Sequence, residues 1–480
     1  MKALVNKYKN LPTPLKASMW FIFCSFLQKG ISLIVTPFFT RLLSTEEYGQ
    51  YTLYNSWLGI LTIFATFKIT EAVFNKSMAK ASDEEKEGVL KSYQLLLLAL
   101  WLAFFVVYII FHRWIETAFG LPSRMIVVMF IEVFFTATIN LWSAYQRYRY
   151  KYVLLVAITL LVSILNPTLG FVAVLHMSDK AFARVLGIAV SQGVVGTVLF
   201  LANLRGKQRV PMTQVWKFAF LFNLPLIPHY LSQLLLNQAD RIMISNMIGL
   251  TEAALYGVAY TLGTLATMIT QSINNAYVPW LFEAMKAKKH HEIMRNNTLL
   301  MVVAAIVILC VIIVAPEGIL LMGGAKYAEA TQVVYPVACS VYFMFMYSLY
   351  ANIELYYETR KYVMIGTCAS AVINLILNYV FLQIFGYVAA AYTTLFCYIC
   401  YGVFHVVLSK RMIERKENVK LKSNSALVYA MGLCLIVISF LMQMLEDFIA
   451  VRYAILVAIF IAAFARRDAF IKKYKEFSAR

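Results

Sequence analysis

Apolar residues along this chain gather into fourteen long runs divided by short polar gaps; they do not alternate with polar ones over a helical or strand period. The runs lie at about 16–40, 51–73, 92–111, 124–143, 153–175, 182–202, 217–239, 255–278, 298–315, 332–353, 362–384, 387–408, 425–444 and 451–465. A bilayer core about 30 Å thick takes about 20 mostly apolar helical residues to cross. Helices also satisfy their own backbone hydrogen bonds where no water can. The pattern therefore predicts an all-α polytopic membrane protein of about 14 transmembrane helices. Composition agrees, with 61% hydrophobic residues, 14% charged residues and a mean hydropathy of +0.71.

Charge sets the expected orientation. Of 43 Lys and Arg residues, 33 fall in one alternating set of gaps and eight in the other. Short basic loops resist translocation, so both termini are expected in the cytoplasm of a plasma-membrane protein, with an even number of spans. Topology and anionic headgroups account for most of the +19 net charge, and no soluble domain presents a basic face to nucleic acid. Residues 1–16 and the long apolar run to Phe39 read as a retained first span, not a cleaved signal. All seven cysteines fall in apolar runs. The Cys397-x-x-Cys400 pair reads as small packing residues, because zinc would need two more ligands nearby.

The halves resemble each other. Arg41-Leu42-Leu43-Ser44-Thr45-Glu46-Glu47-Tyr48-Gly49 closes the first span and opens the second. Asp240-Arg241, Gly249-Leu250-Thr251-Glu252 and Tyr256-Gly257 do the same at the seventh and eighth. Six spans separate the two Arg residues, so both are expected on one side of the membrane. A domain scheme follows: a six-helix bundle over 1–210, a second over 211–408, and a basic linker with two further helices over 409–480. Pro225 and Pro228 free backbone carbonyls in the seventh span and predict a kink there.

Polar residues inside the spans are the candidate functional groups. Lys29 lies 13 residues after Lys16 and 12 before Arg41, near mid-bilayer at about 1.5 Å per residue. A Lys there costs several kcal/mol unless it meets a water-filled cavity or a carboxylate. It reads either as a contact for an anionic substrate group or as half of an ion pair, with Glu132 a candidate partner. Lys68 and Glu71, three apart, are expected on one helix face, where they neutralise each other or contribute to the site. His229, Gln233, Asn237 and Asp240 form a polar stripe expected to line a cavity. Arg41 and Arg241 mark the outer membrane edge and, with Lys29, Lys68, His229, Gln233 and Asn237, are the candidate substrate-binding residues. Glu132, Glu71 and Asp240 are the candidates for binding a coupling proton or sodium. Asn374 and Asn378 read as interhelical hydrogen-bond groups. No phosphate loop, H-E-x-x-H or nucleophile elbow occurs, and short loops leave room only for an intramembrane catalytic site, so a non-enzyme is expected, with no cofactor.

Thr36-Pro37-Phe38-Phe39-Thr40-Arg41-Leu42-Leu43-Ser44-Thr45-Glu46-Glu47-Tyr48-Gly49 resembles the first-span signature of polysaccharide-lipid flippases of the Wzx type. These belong to the multidrug/oligosaccharidyl-lipid/polysaccharide exporter superfamily. Leu224-Pro225-Leu226-Ile227-Pro228-His229 with Asp240-Arg241 is similar to the family's seventh-span motif. Asn374, Asn378 and Phe385-Gly386-Tyr387-Val388-Ala389-Ala390-Ala391 is similar to its Asn-rich span and the turn that follows. Val388-Ala389 departs from a common Gly before Ala-Ala. The resemblance implies two six-helix bundles in a V shape, alternating between inward-open and outward-open states. It implies an undecaprenyl-pyrophosphate-linked oligosaccharide as substrate, moved to the outer leaflet for O-antigen, capsule or exopolysaccharide assembly. Expected partners are that lipid-linked oligosaccharide, membrane lipids, and the polysaccharide polymerase and chain-length machinery. The alternatives are a lipid II flippase, a multidrug or cation exporter of the same superfamily, and an intramembrane glycosyltransferase or polymerase.

The charge pattern makes the topology testable. Reporters fused after Lys326 should read extracytoplasmic and those after Lys288 or Lys416 cytoplasmic; the reverse result would break the assigned orientation.

Overall fold

Thirty residues from Thr13 to Leu42 form the first helix, α1, of a chain whose residues 13–421 and 425–465 are described by a computed structural model. The basic residues of 1–12, of 422–424 and of 466–480, which carry part of the orientation argument, lie outside the described residues. Every regular element among the described residues is a helix, with no strand. In chain order they form α2 (Thr45–Thr66), α3 (Ala72–Lys80), α4 (Lys86–Phe119), α5 (Ser123–Tyr148), α6 (Tyr152–His176), α7 (Lys180–Leu204), α8 (Met212–Asn223) and α9 (Ile227–Met247). There follow α10 (Leu250–Gly263), α11 (Ala266–Lys286), α12 (His290–Ile313), α13 (Ala315–Gly323), α14 (Thr331–Tyr356), α15 (Arg360–Phe385), α16 (Ala389–Glu417), α17 (Ser425–Met444) and α18 (Ile449–Ala465).

Eleven helical spans among the described residues are long and apolar enough to cross a bilayer, and the bent pair α10–α11 makes twelve. The other two expected runs are also helical. The second, α2, carries too many polar side chains to pass as apolar, and α18 is short. The expected second run does not continue to residue 73. It stops at Thr66, where Phe67 and Lys68 take left-handed φ values of 50° and 51°. The proline break in the seventh run is present: α8 ends at Asn223 and a 3-10 turn, Leu224–Leu226, precedes α9. At the other end of the chain α16 continues to Glu417, well into the residues read as a linker.

Local chemistry explains several boundaries. Ser44 and Glu47 form a reciprocal cap on α2: the Ser44 amide donates to Glu47 Oε2 at 2.7 Å and the Glu47 amide to Ser44 Oγ at 3.1 Å. Asp179 caps α7 by accepting from the Phe182 amide at 2.9 Å. Gly49 lets α2 approach the start of α10, since a Cβ at this position would lie 1.8 Å from the Leu250 carbonyl oxygen.

The chain divides into two compact units, residues 1–254 and 255–480. In the first unit α5 is the central helix, with 67% of its most apolar stretch buried, against 11% for the peripheral α6. Its core joins α2, α4, α5 and α7 through Leu53, Tyr54, Tyr108, Met125, Met129 and Val185. In the second unit α14 is central and 83% buried, packed mainly on α16 and also on α11, α12 and α17. Asn374 and Asn378 bond to Thr394 and Thr393 of α16, as expected of residues joining helices. The last helix is held to this unit by Arg452. Its guanidinium is 1% exposed, donates to both Glu317 oxygens at 2.9 and 2.5 Å, and reaches the Ile313 carbonyl at 2.7 Å.

That fork predicts how α18 is retained. Arg452→Ala should lower stability by roughly 1–3 kcal/mol, because it strands a carbonyl and a carboxylate. The Arg452 hydrogen bonds hold the Glu317 carboxyl below the usual carboxylate range. A depressed carboxylate stabilises the fold above its unfolded pKa and loses that contribution as pH falls through the folded value. Thermal unfolding should therefore lose more stability on acidification below about pH 4 in the natural protein than in Arg452→Ala. Parallel losses would remove this role from the pair.

Candidate functional site

Polar residues recur on one face of α2 at Asn55 and Thr62, seven apart, and on one face of α9 at Tyr230, Gln233 and Asn237. These two faces meet in the first unit and leave a cavity of about 400 Å³, to which the turn after α2 adds Lys68. The helices approach closely at Gly59, where a Cβ would come within 3.0 Å of the Leu234 side chain. Several polar side chains satisfy their own helices: Asn55 Nδ2 donates to the Tyr51 carbonyl at 2.9 Å, Thr62 Oγ1 to Leu58 at 2.6 Å, and Asn237 Nδ2 to Gln233 at 2.7 Å.

Lys68 supplies the cation of this cavity. Its ammonium is 3.3 Å from Glu71 Oε1 and 6.0 Å from the Tyr230 ring centre. The pair expected from the sequence is thus formed, but on an irregular turn and not on a helix face. The left-handed backbone at Phe67 and Lys68 ends the helix before it reaches Glu71. Asn223 fixes this turn by donating to the Phe67 carbonyl at 2.8 Å. Glu71 also lies within electrostatic reach of Arg147, so this end of the site carries two cations to one carboxylate.

A second polar cluster lies in the same unit. Glu132, 6% exposed, accepts from the Tyr54 hydroxyl at 2.8 Å. Arg184 of α7 is buried 3.9 Å over the Phe39 ring, donates to Asn166 Oδ1 at 3.2 Å, and acts electrostatically on both Glu132 and Tyr48. Arg241 acts on Tyr48 as well. Its guanidinium donates to the Asn237 carbonyl at 3.0 Å and to the Gln238 side chain. Arg241 therefore links this cluster to the backbone beneath the cavity.

The expected site residues separate accordingly. Lys68, Gln233 and Asn237 line the cavity and Glu71 stands beside it. Asp240 is fully buried on α9, and His229 is half-buried outside the lining, with no hydrogen-bond partner on Nδ1 among the described residues. Arg41 is exposed and donates to the Pro37 carbonyl at 3.0 Å. Lys29 is exposed on α1 and forms no ion pair with Glu132, because that carboxylate is enclosed against Tyr54. Arg184 and Tyr54 are absent from the sequence-based site. Arg184 lies at the start of its apolar run, where a basic residue reads as a loop cation, and a Tyr among apolar residues carries no distinguishing pattern.

The chain is similar to known proteins in sequence profile and in fold. The profile of a family described as "Polysaccharide biosynthesis protein" matches residues 15–285, more than half of the chain, and a MatE profile matches residues 225–380. A protein of the Lsg locus of Haemophilus influenzae is 32% identical over 119 residues, 24% of this chain; the chain spans 30% of that relative's length. Among solved structures, the lipid II flippase MurJ in an inward closed conformation superposes with a TM-score of 0.70. Its identity is 11%, over 94% of this chain and 100% of that one. An inward-facing multidrug resistance MATE transporter of the MOP superfamily gives 0.67 at 12% identity, over 82% and 96%. At these identities the likeness is one of fold.

The cavity predicts a pattern of chemical access. With the seven native cysteines replaced, Gln233→Cys should react with a water-soluble thiol reagent, and Leu236→Cys, at 2% exposure, should not. An anionic reagent should react roughly two- to tenfold faster at Gln233→Cys than a cationic one, a preference that salt weakens. Equal labelling at the two positions would show that the cavity does not admit water.

Proposed function

This chain belongs to the polysaccharide biosynthesis protein family, and on that footing we propose that it is a flippase for a lipid-linked oligosaccharide carrying an anionic pyrophosphate. The observation that carries the reading is the polar cavity between α2 and α9 in the first unit, with Lys68 in its wall. Carrying a sugar headgroup across hydrocarbon means replacing its water with protein hydrogen bonds. Asn55, Gln233 and Asn237 offer amide donors and acceptors for hydroxyl groups. Lys68 offsets the phosphate charge, while a polyprenyl tail stays in the bilayer and needs no pocket.

The finer assignment is an undecaprenyl-pyrophosphate-linked repeat unit, moved by alternating access from the cytoplasmic to the outer leaflet for surface polysaccharide assembly. Lys29, exposed on α1, we assign as an outlying cationic contact, with Arg41 and Arg241 at the outer edge and His229 on the same path. Glu132, Glu71 and Asp240 are assigned to ion coupling. Because Lys68 is already held by Glu71 at 3.3 Å, an arriving phosphate must compete with that carboxylate, so loading would loosen the turn after α2. The relatives that support this reading are transporters, and no step of it makes or breaks a covalent bond.

Deleting the gene should make an undecaprenyl-pyrophosphate-linked oligosaccharide accumulate in the cytoplasmic leaflet. Lys68→Ala should slow translocation in vesicles by about ten- to a hundredfold, the worth of a charge-assisted contact at about 1.5–3 kcal/mol. Lys68→Arg should keep part of the rate, since charge survives while geometry changes. Accumulation of lipid II, or of no lipid-linked sugar at all, would overturn the assignment.

A further inference from the structure

The second unit encloses an ionisable pair that the cavity does not use. Glu354, on α14, and His405, on α16, are both 0% exposed, and His405 Nδ1 lies 2.7 Å from Glu354 Oε1. Each has a second polar atom with no hydrogen-bond partner among the described residues: Glu354 Oε2 and His405 Nε2. A buried pair kept only to join two helices would be expected to satisfy these atoms, since each unmet group costs roughly 1–3 kcal/mol.

Among the described residues, the surroundings supply rings, and the charged group acting on Glu354 is His405. Tyr401 and Phe404 lie 4.7 and 5.1 Å from the His405 ring, and Tyr347 lies 6.0 Å away. Tyr401 is tied in turn to Thr367 of α15 at 2.8 Å and faces the Cys368 thiol. Of the other helices packed on α14, α11 brings Tyr277, on which Tyr350 acts, while α17 and α12 bring Tyr429 and Asn297 to Tyr350 itself. Glu317 and Arg452 act on Tyr335, near the opposite end of α14.

We propose that Glu354 and His405 form a proton-binding site in the second unit that holds one exchangeable proton while closed and releases it only when α14 and α16 part. With one shared proton the pair is neutral, either as carboxylic acid with imidazole or as carboxylate with imidazolium. Removing that proton leaves a net negative charge in the enclosure, and adding another leaves a net positive one. Either change without water costs several kcal/mol. Opening admits water, which takes the proton from the pair and leaves carboxylate and neutral imidazole. The fold provides a place for such opening. Glu354 lies within the last turn of α14, and the link to α15 turns at Glu358 with a φ of 58°. The Thr359 amide and hydroxyl both donate to the Glu354 carbonyl, at 3.0 and 2.8 Å. Movement of the link therefore pulls directly on the backbone that carries the carboxylate. The proton site stands apart from the substrate assignment; only its use in transport would rest on that assignment.

The test is a rapid pH jump on the full-length protein in lipid nanodiscs, followed with a pH-sensitive dye in weak buffer. The natural protein should show a slow release phase of about one proton per chain, limited by opening and not by diffusion. Glu354→Gln and His405→Gln should each lose that phase while still unfolding cooperatively on heating. Glu354→Asp should keep the phase at an altered rate, which a loss of fold would not produce. The absence of a slow phase in the natural protein would overturn the proposal, as would its persistence in both Gln variants. Since no substrate is present, failure of the flippase assignment would leave this result unchanged.

Discussion

A charge carried into hydrocarbon has to be met from inside the protein, and most of the polar architecture of this chain follows from that constraint. Lys68 meets Glu71, Glu132 meets the Tyr54 hydroxyl, Glu354 meets His405, and Arg452 meets Glu317. Uncharged groups obey it as well. Gln94 bridges Thr138 and Asn203 across three helices of the first unit, at 3.1 and 2.9 Å. Where a partner is missing on an enclosed atom, the energy of that omission is large enough to need a compensating use. The constraint therefore both builds the helix contacts and marks the places where the protein departs from them.

The two enclosed acids answer it in chemically different ways. Glu132 is held by a phenol, which donates a hydrogen bond but does not take up a proton near neutrality. Glu354 is held by an imidazole, which can carry the proton itself. One acid is thus stabilised by dipoles and by the nearby guanidinium of Arg184, while the other belongs to a pair whose total charge depends on one proton. Each is carried by the most buried helix of its unit, Glu132 by α5 and Glu354 by α14.

Much of this was legible in the chain because hydrophobic run length is a strong and local signal. All fourteen runs are helical, the Pro225–Pro228 break is where two missing donors place it, and Gln233 and Asn237 share a face because they are four residues apart. The end of α2 was not legible. Nothing in Phe67-Lys68-Ile69 forbids a helix, and the left-handed turn is maintained by a side chain 156 residues away. The Lys68–Glu71 contact was expected from helical spacing, yet it forms on a turn, since three residues span a similar distance in either conformation. Glu354 and His405 lie 51 residues apart on separate helices, and spacing along a chain does not report such a meeting. The same holds for Glu132 and Tyr54, which are 78 residues apart.

The hydrogen bond from Asn223 to the Phe67 carbonyl joins two defects. Asn223 is the last residue of α8 before the proline interruption, and Phe67 is the first residue beyond α2. Each is a point where a membrane helix has lost its regular ladder and can bend at little cost. Straightening either helix would break the tie and strand the Phe67 carbonyl. The cavity wall that carries Lys68 is thus braced by the helix break that leads into the wall carrying Gln233.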